Sequence, residues 1–520
     1  MTLVVFHYHL RPGGIRRIIE LATPQLVRRA PRRVTQVILA TGQQADAAWH
    51  NQFARTLGGV RLQIFSNPAF NYLSEQRGAP ARVSAQIQRA LAELFAATEN
   101  DCLVWAHNLG VGRNLILSRE LAAICAMRGL PLIAHHHDWW FDNRWARWPE
   151  MRRAGFPTLA AAAHAVFPTE ANALHVAINH ADAAMLTRHF GQRALWLPNL
   201  TEPAPPPTAA RVRAARRWLG GKLAHDHAPV WLLPCRTLRR NNIAEALLLT
   251  RWLRPEAWLV VTGAASSAEE RPYFQALEQA AHQHHWRLRL GILAGDESRK
   301  PTVAELLAAS EAVLLTSIQE GFGLPYLEAA AARRPLIARQ LPNIAPDLAR
   351  FGFRFPQAYD EILIAPELFD WAAERARQRK RFNAWRAGMP ARIRARIPWP
   401  ILLTAKIPRP VPFSRLTLTA QLEILARPAR ETWEVCAPLN PFLITWRKRA
   451  AAGQLRVTPW PRRAKRWLGG EAYAESLFRA LGERAKRQPI AFSPARVQAD
   501  FIAGKLDAQN LFPLLWNQHA

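Results

Sequence analysis

Two glutamates eight positions apart, Glu320 and Glu328, bracket the segment Gly321-Phe322-Gly323-Leu324-Pro325. A strand-like apolar run, Ala312 to Ser317, precedes them, and a helical run from Leu324 to Arg333 follows. A glycine-containing loop that joins a buried strand to a helix leaves backbone N–H groups unpaired at the helix start, where an anion is favoured. The carboxylates would repel a phosphate, but they accept hydrogen bonds from hydroxyls. Phosphate at the helix start and hydroxyls at two glutamates together describe a nucleotide-sugar. The structural alternative is a capping glutamate followed by one on a solvated helix face.

Other polar clusters stand where strands should end. Arg11-Pro-Gly-Gly-Ile15 follows the apolar run Leu3–Phe6, and Gly13 and Gly14 would let the backbone approach a phosphate. Trp105-Ala-His-Asn-Leu-Gly-Val-Gly-Arg113 places His107 at a strand's carboxyl end, where open α/β sheets bind ligands. In Ala134-His-His-His-Asp-Trp-Trp-Phe-Asp-Asn-Arg144 the adjacent His135, His136 and His137 would alternate between faces of a strand, which argues against one shared metal ion. His137, Asp138 and Trp139 read instead as an acceptor-side surface, with Trp139 and Trp140 as platforms for sugar rings or, alternatively, as core residues. Arg236, Arg239 and Arg240 converge before the helix that starts at Ile243, an apt place to neutralise a diphosphate. The loop from Thr262 to Ser267, with Gly263, would flank a nucleotide base.

These residues need a scaffold that presents strand ends to one side. Strand-like runs recur at Val34–Ala40, Val60–Phe65, Cys102–Ala106, Pro131–Ala134 and His164–Pro168. Helical patterns lie between several of them, as at Ala81–Ala97 and Asn114–Arg128, and Leu174–Asn179 and Leu195–Asn199 complete the series. A stiff proline run, Thr201–Thr208, reads as a linker. The alternation then resumes, with strands at Val230–Pro234, Trp258–Thr262, Leu288–Leu293, Ala312–Thr316 and Leu336–Ala338 and helices at Ile243–Leu253, Ala268–His285 and Val303–Ala309. This pattern predicts α/β architecture with two doubly wound parallel sheets. The boundaries follow as 1–200, a linker at 201–208, a second sheet domain at 209–390 and a helical extension at 391–520. Within that extension Ser414–Ala426 and Gly470–Lys486 have helical periodicity, and residues after about Gln488 read as an appendage.

The stretch Glu320 to Glu328 resembles the E-x7-E motif of retaining glycosyltransferases of the family-4 type, also called group 1, which have the GT-B fold. The resemblance runs over roughly Leu3 to Arg350, with fainter matches to about Lys486. It implies two Rossmann-like domains facing across a cleft, a terminal helix near 470–486 crossing back to the first domain, and hexosyl transfer from a nucleotide-sugar to an acceptor hydroxyl with retention. It implies that Glu320 orients the donor sugar together with His107, and that Glu328 holds the ribose. Gly13, Gly14, Arg236, Arg240, Asn241, Gly263, Gly321, Phe322, Gly323 and Leu324 would complete the donor site, with Arg236 also catalytic through the leaving phosphates. The family pattern has Lys five positions after Arg236, whereas this chain has Asn241, so Arg240 stands in or donor binding weakens. That departure motivates the alternative, a weak or inactive GT-B protein serving as a binding or scaffold module. No Asp-x-Asp element stands near a strand end, so neither metal nor cofactor is expected; UDP-, GDP- or ADP-hexose would be a substrate.

Composition sets the remaining bounds. Of 520 residues, 49% are hydrophobic, ample for large cores. The formal net charge is +30, mostly from arginine, which admits anionic substrates or peripheral contact with an anionic membrane. No recognised nucleic-acid module appears, so no specific nucleic acid is expected. Cys102, Cys125, Cys235 and Cys436 have no paired spacing and read as free thiols. The first residues read as a core strand and not a signal peptide, and a cytoplasmic protein, peripheral to the inner membrane face at most, is expected.

Overall fold

The computed structural model describes residues 1–11, 13–96, 98, 101–225, 227–265, 267–295, 300–484 and 492–516. Pro12, Ala97, Ser266 and residues 485–486, which fall inside sequence expectations, lie outside the described residues. The chain divides into two compact units: Met1–Glu202 with Arg463–Lys505, and Pro203–Arg462 with Leu506–Ala520.

The first unit is built on seven parallel strands: β1 Thr2–Phe6, β2 Gln36–Thr41, β3 Arg61–Ser66, β4 Cys102–His107, β5 Leu132–His136, β6 Ala173–Ala177 and β7 Ala194–Trp196. Their order is β3-β2-β1-β4-β5-β6-β7. β1, β4, β5 and β6 are buried along their whole length, as continuous apolar runs in a doubly covered parallel sheet should be. The order reverses between β1 and β4, which sets the crevice outside their carboxyl ends.

The second unit repeats the plan with β8 Val230–Arg236, β9 Trp258–Gly263, β10 Leu288–Arg289, β11 Ala312–Leu315, β12 Leu336–Arg339 and β13 Gln357–Tyr359, in the order β10-β9-β8-β11-β12-β13. The reversal falls between β8 and β11, so the loops after those two strands are neighbours. Those loops carry Arg236–Asn241 and Ser317–Gly323.

Three readings need correction. His164–Pro168 is not a strand: Leu159–Val166 is a helix capped by the Thr158 side chain, because a run of alanines behind an N-cap favours helix and the strand comes later, at β6. The residues after 488 are no appendage: the helix Pro494–Lys505 buries Val497, Phe501 and Ile502 in the first unit. Residues 391–520 do not form one extension, since they divide between the two units. Within the first unit, the helix Gly470–Arg484 lies on Gly14–Arg29 and joins its core through Tyr473, Ala474 and Leu477. All four cysteines are free, three of them buried and Cys235 half-buried. No helix among the described residues is long and apolar enough to cross a membrane.

Candidate active site

In the second unit the loops after β8 and β11 meet. Arg240 Nη1 lies 2.6 Å from Glu320 Oε2 and donates to the Gln319 carbonyl at 2.9 Å. Ser317 Oγ donates to Glu320 Oε1 at 2.9 Å, and Asn343 Nδ2 donates to the Glu320 backbone carbonyl at 2.9 Å. Glu320 is thus fixed at both its side chain and its backbone. Ser317 and Asn343 were not singled out in the sequence; Ser317 had a signal in its position at a strand end, whereas nothing local marks Asn343.

Behind the loop, the helix Leu324–Ala331 begins at Gly323, whose φ of 75° is left-handed. A Cβ there would sit 2.8 Å from the Tyr326 ring, so glycine serves both conformation and space. Gly321 and Leu324 are half-buried and Phe322 is buried beside that start, while Glu328 stands half-buried on the helix. Gly263, at the end of β9, accepts from the Thr237 amide at 3.0 Å and so closes the neighbouring loop against the end of β8.

The three arginines separate in role. Arg236 is exposed at the end of β8. Arg239 does not converge with the others: its backbone N–H donates to Glu270 Oε2 at 3.0 Å, and its guanidinium pairs with the same carboxylate at 3.3 Å. Asn241, expected in the donor site, is 1% exposed, donates to the Arg236 carbonyl at 2.7 Å and has its Oδ1 3.3 Å from Ser317 Oγ. Its amide braces the loop from within, and Arg240, one position earlier, carries the cation beside Glu320.

Beneath this surface lies a buried ionic network. Arg339 pairs with Glu245 and Glu361, Tyr359 donates to Glu245 at 2.6 Å, and Ser414 donates to Glu361 at 2.6 Å. Burial opposes the Arg339 charge, but Glu245 and Glu361 outweigh it and push its pKa up. This network ties β12 to the first turn of the helix Ile243–Leu253, two residues after Asn241.

In the first unit, His107 ends β4 and His135 lies beside it on β5, with His137 on the same face two residues on. The three rings offer nitrogens within 4.8 Å of one another. Alternation holds within β5, where His136 alone points to the other face, toward His175 at 3.4 Å, but the neighbouring β4 supplies the third histidine. The hydrogen bonds still weigh against a metal ligand set. Trp105 donates its indole N–H to His135 Nδ1 at 3.1 Å. An indole can only donate, so the ring proton of neutral His135 sits on Nε2 and no lone pair remains there. His107 Nδ1 and His137 Nε2 share a further bond of 3.0 Å. Burial, reinforced by neighbouring histidines, pushes His107 well below the usual imidazole range. Burial pulls His137 down to about 4, and Asp138 only partly opposes this. These rings are neutral at ordinary pH.

Trp139 and Trp140 are not platforms: they are 1% and 0% exposed. Trp139 packs 4.4 Å from His136 and 4.8 Å from Phe501, and its indole donates to Asp182 at 2.9 Å. A Cβ on Gly110 would lie 2.8 Å from the Trp139 ring, so that glycine makes room for the tryptophan. Asp138 is half-exposed and faces Arg144 at 3.4 Å. Gly13 and Gly14 are exposed at the start of the helix Gly14–Arg29.

Residues 230–367 match the family model Glycosyl transferases group 1, the span that holds Arg236, Arg240, Glu320 and Glu328. The match lies wholly within the second unit. A mannosylglucosyl-3-phosphoglycerate synthase of Petrotoga mobilis (strain DSM 10674 / SJ95) is 27% identical over 352 residues, covering 66% of this chain and 66% of the relative. A mannosylglucosylglycerate synthase of the same organism is 21% identical over 295 residues, covering 50% of this chain and 64% of the relative. The chain thus spans just under two thirds of the length of the curated relatives it matches. The crystal structure of a glycosyltransferase from Rickettsia africae ESF-5, at 12% identity, covers 94% of this chain and 99% of that one with a TM-score of 0.51. The fold is GT-B.

Proposed function

We propose that this protein transfers a hexosyl group from a nucleotide-sugar to an acceptor hydroxyl, with retention and without metal. The observation that carries the reading is the Arg240–Glu320 pair beside the helix start at Gly323, within the group 1 match. A diphosphate would lie against Arg236, Arg240 and the amides of that helix start, where preorganised positive charge stabilises the leaving group. Glu320, held by Ser317, would orient the donor sugar, and Glu328 would accept from the ribose hydroxyls. On the first unit, the resemblance nominates Gly13, Gly14 and His107 as ligand contacts in their own right. His107, neutral and with no hydrogen-bond partner at Nε2 in the described residues, suits a hydroxyl and not a phosphate. His137 and Asp138 remain candidates for the acceptor side, whereas Trp139 has its indole N–H committed to Asp182 and its ring packed on Phe501.

The leaving phosphate can take the acceptor proton on the face from which the acceptor attacks, so no protein nucleophile is assigned. The names of the two relatives make mannosyl donors and glycosylated glycerate acceptors the first to try. The scaffold alternative draws its one support from Asn241, and the placement of Arg240 weakens it. Thermal-shift screening against UDP, GDP and ADP, then incubation of the matching sugars with acceptors in EDTA, tests the reading. Product with the donor's anomeric configuration, read by NMR, is expected; an inverted product or a strict metal requirement would contradict it. A well-folded chain that turns over no nucleotide-sugar would favour the scaffold.

A further inference from the structure

Between Arg375 and Leu422 the chain carries twelve basic residues and no acidic one. The segment is not a loose tail. The helix Trp371–Ala387 holds the following chain against itself: Arg375 donates to the carbonyls of Leu402 and Leu403 at 3.2 and 3.3 Å, and Phe382 packs on Trp399 at 5.5 Å. The chain from Trp399 to Leu403 therefore runs back along the helix from Phe382 to Arg375, about 10 Å at 1.5 Å per residue. It forms a fixed platform on which Arg379, Lys380, Arg392, Arg394 and Arg396 are exposed.

Two large apolar side chains break the surface here. Trp399 is 44% exposed, with the Arg386 guanidinium 5.1 Å from its ring, and Ile407 is 71% exposed between Lys406 and Arg409. An arginine against a half-exposed indole, and an exposed aliphatic tip flanked in sequence by Lys406 and Arg409, suit a surface that is negatively charged outside and apolar a few ångströms in. A nucleic acid would use the arginines and the indole but has no place for Ile407.

We propose that this face of the second unit docks on an anionic lipid surface, with the arginines at the headgroups and Trp399 and Ile407 entering the interface. The proposal does not depend on the transferase reading. Flotation of the full chain with phosphatidylcholine vesicles, with and without phosphatidylglycerol, tests it. Binding only to the anionic vesicles is expected. Arg392→Glu with Arg394→Glu should weaken it at least about thirtyfold, at roughly fivefold lost per basic residue. Arg213→Glu with Arg217→Glu, the same charge change on the exposed face of the helix Ala209–Leu223, should weaken it less than threefold. Ile407→Ser, too exposed to threaten folding, should weaken vesicle binding severalfold while leaving binding to a DNA duplex unchanged. Equal losses from the two arginine pairs, or no effect of Ile407→Ser, would overturn the proposal and leave nonspecific charge. Tighter binding to the duplex than to anionic vesicles would overturn it in favour of nucleic acid.

Discussion

The two sheets share a strand order at their switch points, yet they fill the ends of their strands differently. In the first unit, β4 and β5 end in buried, neutral histidines whose proton positions are set by one another and by Trp105. In the second, β8, β11 and β12 end in paired charges, Arg240 with Glu320 above and Arg339 with Glu245 and Glu361 below. The described histidines of the second unit, at 225, 227, 282, 284 and 285, are all exposed. One topology thus supports polar, uncharged strand ends in one unit and charged ones in the other. On the function proposed above, the charged strand ends would meet the diphosphate. Paired charge can be kept ionised in a protein interior because each partner offsets the other's desolvation, whereas an unpaired imidazole loses its proton.

The largest effects should separate scaffold from chemistry. Trp139→Ala should lower stability by about 3–5 kcal/mol, as expected for an emptied aromatic site in a core, in chemical denaturation. A change confined to acceptor KM with stability intact would restore its surface role. Arg240→Ala should reduce transfer by about 3–4 kcal/mol in the barrier, comparable to losing a leaving-group donor, with the unfolding midpoint little moved. An unaltered rate would remove Arg240 from the site. Asn241→Lys should not improve transfer but destabilise the chain by about 1–3 kcal/mol, since it replaces a buried, bonded amide by a charge; a gain in nucleotide affinity would show that the position still points to the donor.

Acid sharpens the same contrast. Each buried histidine of the first unit binds its proton more readily unfolded, near 6.5, than folded, where burial holds His137 at about 4 and His7 and His175 at about 3. The stability tied to neutrality is fully present above 6.5 and is lost as pH falls toward those folded values. The melting temperature should drop by about 5 °C or more between pH 6.5 and 4.5. Replacing His175, which packs at a tilt on Phe190 at 3.9 Å, with phenylalanine should reduce that slope. A flat profile would mean the histidines are protonated in the fold.

Much of this was legible because the governing signals are local. Continuous apolar runs marked β1, β4, β8 and β11, and Ile243–Leu253 and Val303–Ala309 were bounded to the residue. The loop after β11 announced itself through its glycines and glutamates. What stayed hidden depends on contacts distant in sequence. Trp139 and Trp140 beside histidines and aspartates look like a surface until Phe501, more than 350 residues later, covers Trp139 and Gln498 receives a hydrogen bond from Trp140. Asn241 looked like a weakened ligand because Ser317, against which its side chain lies, is brought there only once β8 lies next to β11. The third histidine beside His135 and His137 came from β4, a pairing that local alternation cannot reveal.

The central claim is that the charged strand ends of the second unit hold the diphosphate and nucleoside of the donor. Calorimetric titration of the full chain with whichever of UDP, GDP or ADP stabilises it, repeated with Glu328→Ala and Arg240→Ala, tests this most directly. Each variant should weaken binding about tenfold or more, as expected when a charge-assisted hydrogen bond is removed. Undiminished affinity in both variants, with the fold intact, would contradict the account.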